Sequence, residues 1–376
     1  MKMLKKEVFD ILKRLNDHGY EAYIVGGAIR NYLLNKAILD YDITTNASSN
    51  VVKMLFNEYK LYDIGKVHGT VSIIIKDIVV EVTPYRRESE YKDHRHPSKI
   101  SFNANLKDDL KRRDFTINAL CMDLNKQIID YFNGIDDLNN KIIKAIGNPY
   151  TRFNEDSLRI LRALRFKAKM NFEIEEKTDK AIHQSKDLLN HISEERKKDE
   201  LLQILSCRNA FVLINDYLDV FNTFMPFKRI SRKVNNFSNP LYSLAYLLKD
   251  EENINLKKLK YSNQEIDLIK HLIQSSKIKI NDDYQFIKCL SNIYQKDVLL
   301  FLNQYHHKNY KDRFDKLKRY MVNVNSLDID GKQIEKLGYK GKDIGRIKNI
   351  LVDVIHHKQV NNKKEKLIKY LKESIL

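Results

Sequence analysis

Two glycines, Gly26-Gly27, separate a run of strand composition from a helical run, Ala28 to Leu34. Glycine at such a junction lets backbone amides approach a phosphate closely. Taken alone, the pair is equally a plain strand-to-helix turn. Fourteen positions past Gly26 comes Asp40-Tyr41-Asp42 at the start of the next strand-like run. Alternation along a strand points Asp40 and Asp42 to one face. Two carboxylates held side by side repel unless a cation joins them. A pair of Mg²⁺ ions does so, because hard divalent ions take oxygen ligands and keep positions for water and phosphate. An isolated D-x-D also fits a solvated strand end. Glu81, within Val79 to Thr83, is a candidate third carboxylate; the alternative is the polar outward residue that an alternating strand needs.

The elements that would position these groups are of two kinds. Up to Gly147-Asn148-Pro149, branched runs at Tyr20 to Val25, Tyr41 to Thr45, Val71 to Ile75, Ile78 to Thr83 and Ile142 to Ile146 predict strands alternating with helices. Beyond that point nearly everything predicts helix, including Glu155 to Met170, where leucines and arginines interleave at a three-residue step. Only 11 Gly and 5 Pro occur in 376 residues, which disfavours a turn-rich all-β chain. The balance of 67 Lys+Arg against 50 Asp+Glu gives +17 at 43% hydrophobic content. A folded, strongly cationic protein of this size points to nucleic acid as partner. Cys121, Cys207 and Cys289 are scattered with no C-x-x-C, so neither a disulfide framework nor a zinc site is encoded. No signal-peptide layout and no run of about 18 apolar residues occurs, so a cytosolic protein without membrane association is expected.

From Ile24 to Thr45, the order Gly-Gly, helix, D-x-D resembles the polymerase β-like nucleotidyltransferases. Gly65-Lys66-Val67-His68-Gly69-Thr70, Glu81-Val82-Thr83, Tyr91 to Pro97, Asp109 to Leu120, Asp130 to Leu138, Glu155-Asp156 with Arg159, and Ile192 to Arg196 with Glu200-Leu201 then follow in sequence. That series resembles class II tRNA nucleotidyltransferases, the bacterial CCA-adding enzymes, as do Gly331-Lys332 and Gly341 to Gly345 near the C-terminus. Residues 207–323 carry no recognisable motif.

The resemblance implies an α+β protein: a mixed α/β nucleotidyltransferase head (1–147), then an all-helical neck (148–210) with the nucleotide-selecting site, a body (211–325) and a tRNA-binding tail (326–376). It implies template-independent addition of C, C and A to tRNA lacking all or part of its 3′ CCA, from CTP and ATP with Mg²⁺. Asp40 and Asp42 would hold the metal, with Glu81 beside them. Gly26, Gly27, Arg30, Arg113, Asp114, Asn118, Glu155, Asp156, Arg159, Arg162 and Arg165 would bind nucleotide. Arg86, Asp93 and Arg95 would belong to a flexible loop assisting the switch to the terminal A. Lys332, Gly341 and Lys342 would meet tRNA. One position departs from the family pattern, in which Asp follows the Arg of Gly-Gly-x-x-Arg; here it is Asn31.

Residue chemistry fits these roles. Arg112 and Arg113 supply cations for a triphosphate, and Asp114 and Asn118 offer groups suited to a ribose hydroxyl. Asp156 and Arg159, at i,i+3, are expected as neighbours on one helical face. A carboxylate beside a guanidinium complements an amino group beside a ring acceptor, the edge shown by cytosine and adenine and reversed in uracil and guanine. The alternative for this pair is an intrahelical salt bridge. The polar stretch Tyr85 to Asn105 is expected as a long loop. His94 and His96 lack a second ligand cluster, and Ser326 to Gly331 lacks the twelfth-position Glu of a calcium loop, with Leu337 there. Rival readings are a poly(A) polymerase, an enzyme adding only CC or only A, or a basic RNA-binding protein with an inactive head.

Overall fold

The computed structural model describes residues 4–64, 69–91, 97–231, 237–251 and 254–374. The chain forms two compact units, Met1–Arg229 and Ile230–Leu376. The first unit is built on strands β1 (Ala22–Val25), β2 (Tyr41–Thr45), β3 (Lys60–Ile64), β4 (Thr70–Ile75), β5 (Ile78–Pro84), β6 (Arg87–Tyr91), β7 (Pro97–Ser101), β8 (Cys121–Met122) and β9 (Ile128–Ile129). Seven of them make one sheet in the order β3-β4-β5-β2-β1-β8-β9, with β2 and β5 parallel and the other neighbours antiparallel. Residues that alternate toward one face, Ile24, Ile43, Val71, Ile73, Val80 and Val82, are fully buried. Helices α1 (Lys6–Asp17), whose Val8, Ile11, Leu12 and Leu15 are buried, and α3 (Ser49–Leu55) belong to the same part of the core; α2 (Gly27–Leu33) lies between them in the chain. The opposite face carries Asp42, Glu81 and Thr44. Over Thr44 it is covered by α4 (Leu106–Lys111), whose buried Asp109 accepts a hydrogen bond from Thr44 Oγ1 at 3.1 Å.

After α5 (Gly134–Asn139) the unit becomes helical: α6 (Pro149–Glu155), α7 (Leu158–Met170), α8 (Glu176–Gln184), α9 (Glu194–Leu205), α10 (Ala210–Asp216) and α11 (Leu218–Phe221). The second unit, as far as it is described, is helical throughout. In it α12 (Pro240–Leu248), α13 (Asn263–Ser276), α14 (Asp283–Leu290), α15 (Gln295–Tyr305) and α16 (Lys311–Leu317) precede α17 (Gly331–Glu335), α18 (Lys342–His356) and α19 (Lys364–Ser374). A cluster of Val322, Ile329, Ile334, Ile347, Leu351, Ile355, Leu367 and Leu371 forms a core among the last three.

Several local expectations are corrected. Tyr85 to Asn105 is not a loop throughout: β6 and β7 pair as an antiparallel hairpin, Arg87 opposite Ser101 and Glu88 opposite Ile100. Ile142 to Ile146 shrinks to a two-residue strand at Ile142–Ile143, paired in parallel with Glu173–Ile174, itself a short strand inside the stretch read as helix. The helix expected over Glu155 to Met170 is broken. Asp156 is extended (φ −138°, ψ 101°), and its Oδ1 accepts from the Leu158 amide, so its side chain competes for the backbone donor that a continuous helix would use. The three cysteines are free, and among the described residues no helix is long and apolar enough to cross a membrane.

Candidate active site

Register places the carboxylates. Asp42 of β2 stands directly opposite Glu81 of β5, and Asp40 precedes β2 on the same face by alternation. Burial raises the Asp42 carboxyl above its ordinary value, helped by the Asp40 charge and opposed by Arg113. Glu81 is raised by burial and by the Asp42 and Asp40 charges. Two hard-oxygen side chains in mutual repulsion fit a divalent cation. Among the described residues no group of three or more His, Cys, Asp or Glu is gathered closely enough to hold a metal ion, so Asp40, Asp42 and Glu81 do not form a three-carboxylate cage.

Gly26 ends β1 beside Asp42. Its φ of +71° favours glycine, and a Cβ there would crowd Arg113 Nη1 at 3.0 Å while meeting Asp42 Oδ2 at an ordinary 3.8 Å. The Gly26 amide donates to Leu120 O at 3.1 Å, so of the pair's two amides this one is committed within the sheet.

A cavity of about 610 Å³ opens beside Asp42. It is lined by nine cationic side chains (Arg30, Arg86, Arg112, Arg113, Arg159, Arg162, Arg165, Arg196 and Lys169) against four carboxylates (Asp42, Glu88, Asp114 and Asp156), with Gly26, Gly27, Asn118 and Phe166 completing it. An excess of five positive charges suits a triphosphate, the most anionic part of a nucleotide.

Much of this charge is held in a fixed lattice. Buried Asp114 accepts Arg162 Nε at 2.8 Å and Nη2 at 2.6 Å on one oxygen, and Asn118 Nδ2 at 2.9 Å with its neighbour's amide (Phe115 N, 2.8 Å) on the other. Asn118 Oδ1 in turn accepts Arg30 Nη1. Both residues therefore serve first as anchors for arginines, and the four donors occupy the lone pairs of the Asp114 carboxylate. Asn31 Oδ1 takes Arg30 Nε and Nη2 at 3.3 and 3.0 Å, so the amide that replaces the family's Asp still orients Arg30. Phe166 gathers three guanidinium groups, Arg30, Arg162 and Arg165, at 5.2, 5.6 and 5.0 Å from its ring centre, and stands edge-on to Phe115.

Asp156 and Arg159 both reach the cavity, but not as a pair on one helical face. Arg159 is buried and donates to Glu155 Oε2 (3.0 Å), Arg152 O (2.9 Å) and Arg112 O (3.0 Å). Asp156 faces Arg196 Nη1 and Nη2 at 3.4 and 3.5 Å. The intrahelical salt bridge considered as the alternative is thereby excluded; Glu155, not Asp156, is the partner of Arg159. Arg165 pairs with Glu200 at 3.2 Å, and burial both raises Glu200 and lowers Arg165. Arg86 lines the cavity and pairs with Glu88 at 2.6 Å; Asp93 and Arg95 lie outside the described residues, as do Gly65 to His68. In the second unit Lys332 is exposed on α17, and exposed Gly341 (φ +56°) precedes Lys342 at the start of α18. Glu88, Phe166, Lys169 and Arg196 belong to the cavity but not to the site read from the sequence. Phe166 stands one turn past Arg162, and Arg196 closes Ile192 to Arg196, which were the available signals.

The Asp114 anchor has a measurable consequence. Burial alone would raise its carboxyl, but the Arg162 charge and the hydrogen bonds from Asn118, Arg162 and the Phe115 amide hold it well below the ordinary range. A depressed folded-state value contributes stability that is present above the unfolded value of about 3.9 and is lost as pH falls toward the folded one. Thermal melts between pH 5 and pH 3 should show Tm falling. Asp114→Ala should flatten part of that slope and cost about 3 kcal/mol at pH 7, because Arg162 loses its charge partner.

Comparison with known proteins accords with this geometry. Residues 22–144 match the family model described as the poly A polymerase head domain, and residues 171–217 match one described as a probable RNA and SrmB-binding site of polymerase A. A CCA-adding enzyme of Staphylococcus haemolyticus is 36% identical over 97% of both chains, and one of Enterococcus faecalis is 38% identical over 74% of this chain and 72% of its own. The crystal structure of the Bacillus stearothermophilus CCA-adding enzyme in complex with CTP is similar with a TM-score of 0.79 at 28% identity, covering 99% of this chain and 98% of that one. With a nucleotidyltransferase head, a cationic cavity beside paired carboxylates and likeness along nearly its whole length, this chain belongs to the CCA-adding enzyme family.

Proposed function

We propose that the cavity of the first unit binds CTP and ATP in turn, with the triphosphate toward Arg113, Arg30 and the backbone amide of Gly27 beside Gly26, and the base toward Asp156 and Arg159. Addition of CCA to tRNA is the activity of the family to which the chain belongs, with CTP and ATP as its nucleotides. What carries the proposal is one cavity lined by nine cations and by Asp42, with Asp156 and Arg159 also in its wall. The bond that forms joins the tRNA 3′ oxygen to the α-phosphorus; the bond that breaks releases pyrophosphate, and the hydroxyl proton is given up. Divalent-metal dependence comes with this nucleotidyltransferase family, and we assign the ion as Mg²⁺, held by Asp40 and Asp42 with Glu81 beside them. When bound it would supply activation of the hydroxyl and neutralisation of charge on the departing pyrophosphate.

The protein's own groups then have separate roles. Arg113 and Arg30 offset triphosphate charge, Asp114 and Asn118 fix Arg162 and Arg30, and Glu155 fixes Arg159. Arg86 belongs to the segment we read as assisting the terminal A. Lys332, Lys342 and the Gly341 turn would meet tRNA phosphates in a tail spanning 326–376, with head, neck and body assigned to 1–147, 148–210 and 211–325. We assign the cytoplasm as its setting, in keeping with a tRNA-processing family.

The head is of a type named for poly A polymerases, so a poly(A) polymerase is the second reading. Purified protein given tRNA that ends before its CCA should add two residues from labelled CTP alone, none from ATP alone, and three from both before stopping. A long tail from ATP alone would establish the second reading, and a stop after two residues with both nucleotides present would make this a CC-adding enzyme.

A further inference from the structure

Past Asp42 the carboxylate face of the sheet continues across β5, β4 and β3, where its outer positions are exposed among the described residues. Register aligns Asp42 with Glu81, Glu81 with Ser72 and Ser72 with Tyr62, one residue on each of β2, β5, β4 and β3. A second row on the same face runs from Val79 through Ile74 to Lys60. The other face of these strands is fully buried at Val71, Ile73, Val80 and Val82. This face instead leaves Tyr62 47% and Val79 49% exposed, Tyr62 at the far end of the row that leads to Glu81 and Asp42 and Val79 two positions before Glu81. Lys60 Nζ stands 5.1 Å from the centre of the Tyr62 ring, and the buried Ser72 Oγ between Tyr62 and Glu81 has no hydrogen-bond partner among the described residues.

The two flanks of β2 therefore differ. On the β1 side lie Gly26, Arg113 and the cationic cavity; on the β5 side lies an open shelf that ends at an aromatic ring with an ammonium over it. A nucleotide in the cavity occupies the first flank, so the strand that presents its 3′ hydroxyl to Asp40 and Asp42 has the second available. Three strand spacings of about 4.8 Å put Tyr62 about 14 Å from Asp42. That distance is within reach of the last few nucleotides of an unpaired RNA end. Exposed aromatic side chains beside cations are what unpaired RNA uses, through stacking on the ring and charge at the phosphate, whatever the base. A protein partner would also cover an apolar edge, but it would have no need of a shelf leading to the catalytic carboxylates.

We infer that the open β3-β4-β5 face is the seat of the single-stranded 3′ end of the RNA to be extended, with Tyr62 as a base-stacking platform and Lys60 meeting its phosphate. The inference rests on the reading of Asp40 and Asp42 as the catalytic end, and it assigns residues to the RNA side of that centre. The test is steady-state kinetics with an acceptor-stem minihelix lacking CCA, for wild type, Tyr62→Ala and Tyr62→Phe. Tyr62→Ala should raise KM for the minihelix about tenfold, the order of one lost base-aromatic stack. KM for CTP and kcat at saturating RNA should hold, and Tyr62→Phe should restore the wild-type RNA KM. An unchanged RNA KM in Tyr62→Ala, an equal rise for CTP, or failure of Tyr62→Phe to restore it would overturn the inference and leave the shelf to another partner. Wild-type protein that incorporates nothing would overturn the catalytic reading itself, so the two failures are told apart.

Discussion

Asp42→Ala will lower incorporation of both C and A by about 10³-fold or more while tRNA still binds. A metal-held reaction centre supplies several kcal/mol of transition-state stabilisation, and each ~1.4 kcal/mol is a factor of ten in rate. Both nucleotides are affected alike because the carboxylate serves the reacting atoms and not the base. The variant should also fold. Asp42 is a carboxylate that burial and Asp40 disfavour in its charged form, and Arg113, which offsets it, keeps its pairing with Asp109 at 3.5 Å, so removal of Asp42 relieves repulsion toward Glu81 without orphaning that cation. Retained Tm and retained retardation of tRNA in a gel, with incorporation near background, is the expected set. Appreciable C or A addition would withdraw Asp42 from the reaction.

The second large effect concerns base choice. Arg159 is a poor first target, since it also holds Arg112 O, Arg152 O and Glu155, and its truncation would leave buried groups unpaired. Asp156 is cleaner: its contacts are the long ones to Arg196 and one to the Leu158 amide. Asp156→Asn keeps the shape but replaces one acceptor oxygen by a donor. Against an amino group beside a ring nitrogen this loses a match, while against the carbonyl beside N–H of uracil or guanine it gains one. A bidentate base contact carries about 1–3 kcal/mol of discrimination. Selectivity for C and A over U and G should therefore fall about 10- to 100-fold, with overall turnover reduced far less than in Asp42→Ala. Single-nucleotide incorporation with all four triphosphates measures it. Wild-type selectivity would confine Asp156 to its pairing with Arg196.

The strands that frame the carboxylates were readable because burial on one face imposes alternation of branched residues, as in Tyr41 to Thr45 and Ile78 to Thr83. The hairpin of β6 and β7 was not, since Arg87-Glu88-Ser89-Glu90-Tyr91 has no apolar period; it is recognisable only through its pairing partner. Lys60 to Ile64 was missed for a related reason, being an edge strand with Lys60, Tyr62 and Asp63 facing solvent. In the site, residue types were legible and partnerships were not. Spacing suggested Asp156 with Arg159, but a backbone turn at Asp156 gave Arg159 to Glu155 and Asp156 to Arg196, forty positions on. Asp114 and Asn118 were visible as polar groups near a core element. That their acceptors would be spent on Arg162 and Arg30 depends on a fold that brings α7 against α2.

The ring of Phe166, with Arg30 from α2 on one side and Arg162 and Arg165 from α7 on others, bears on how such enzymes can be recombined. Asp114 and Arg30 lie before residue 147, but their partners Arg162 and Phe166 come after it. A fragment cut at the end of the sheet region would keep the carboxylates and forfeit the nucleotide cavity, exposing an unpaired Asp114 where a salt bridge had been. Chimaeras between relatives should accordingly be joined beyond α7 and not at Gly147, so that the catalytic sheet travels with the helix that completes its binding wall.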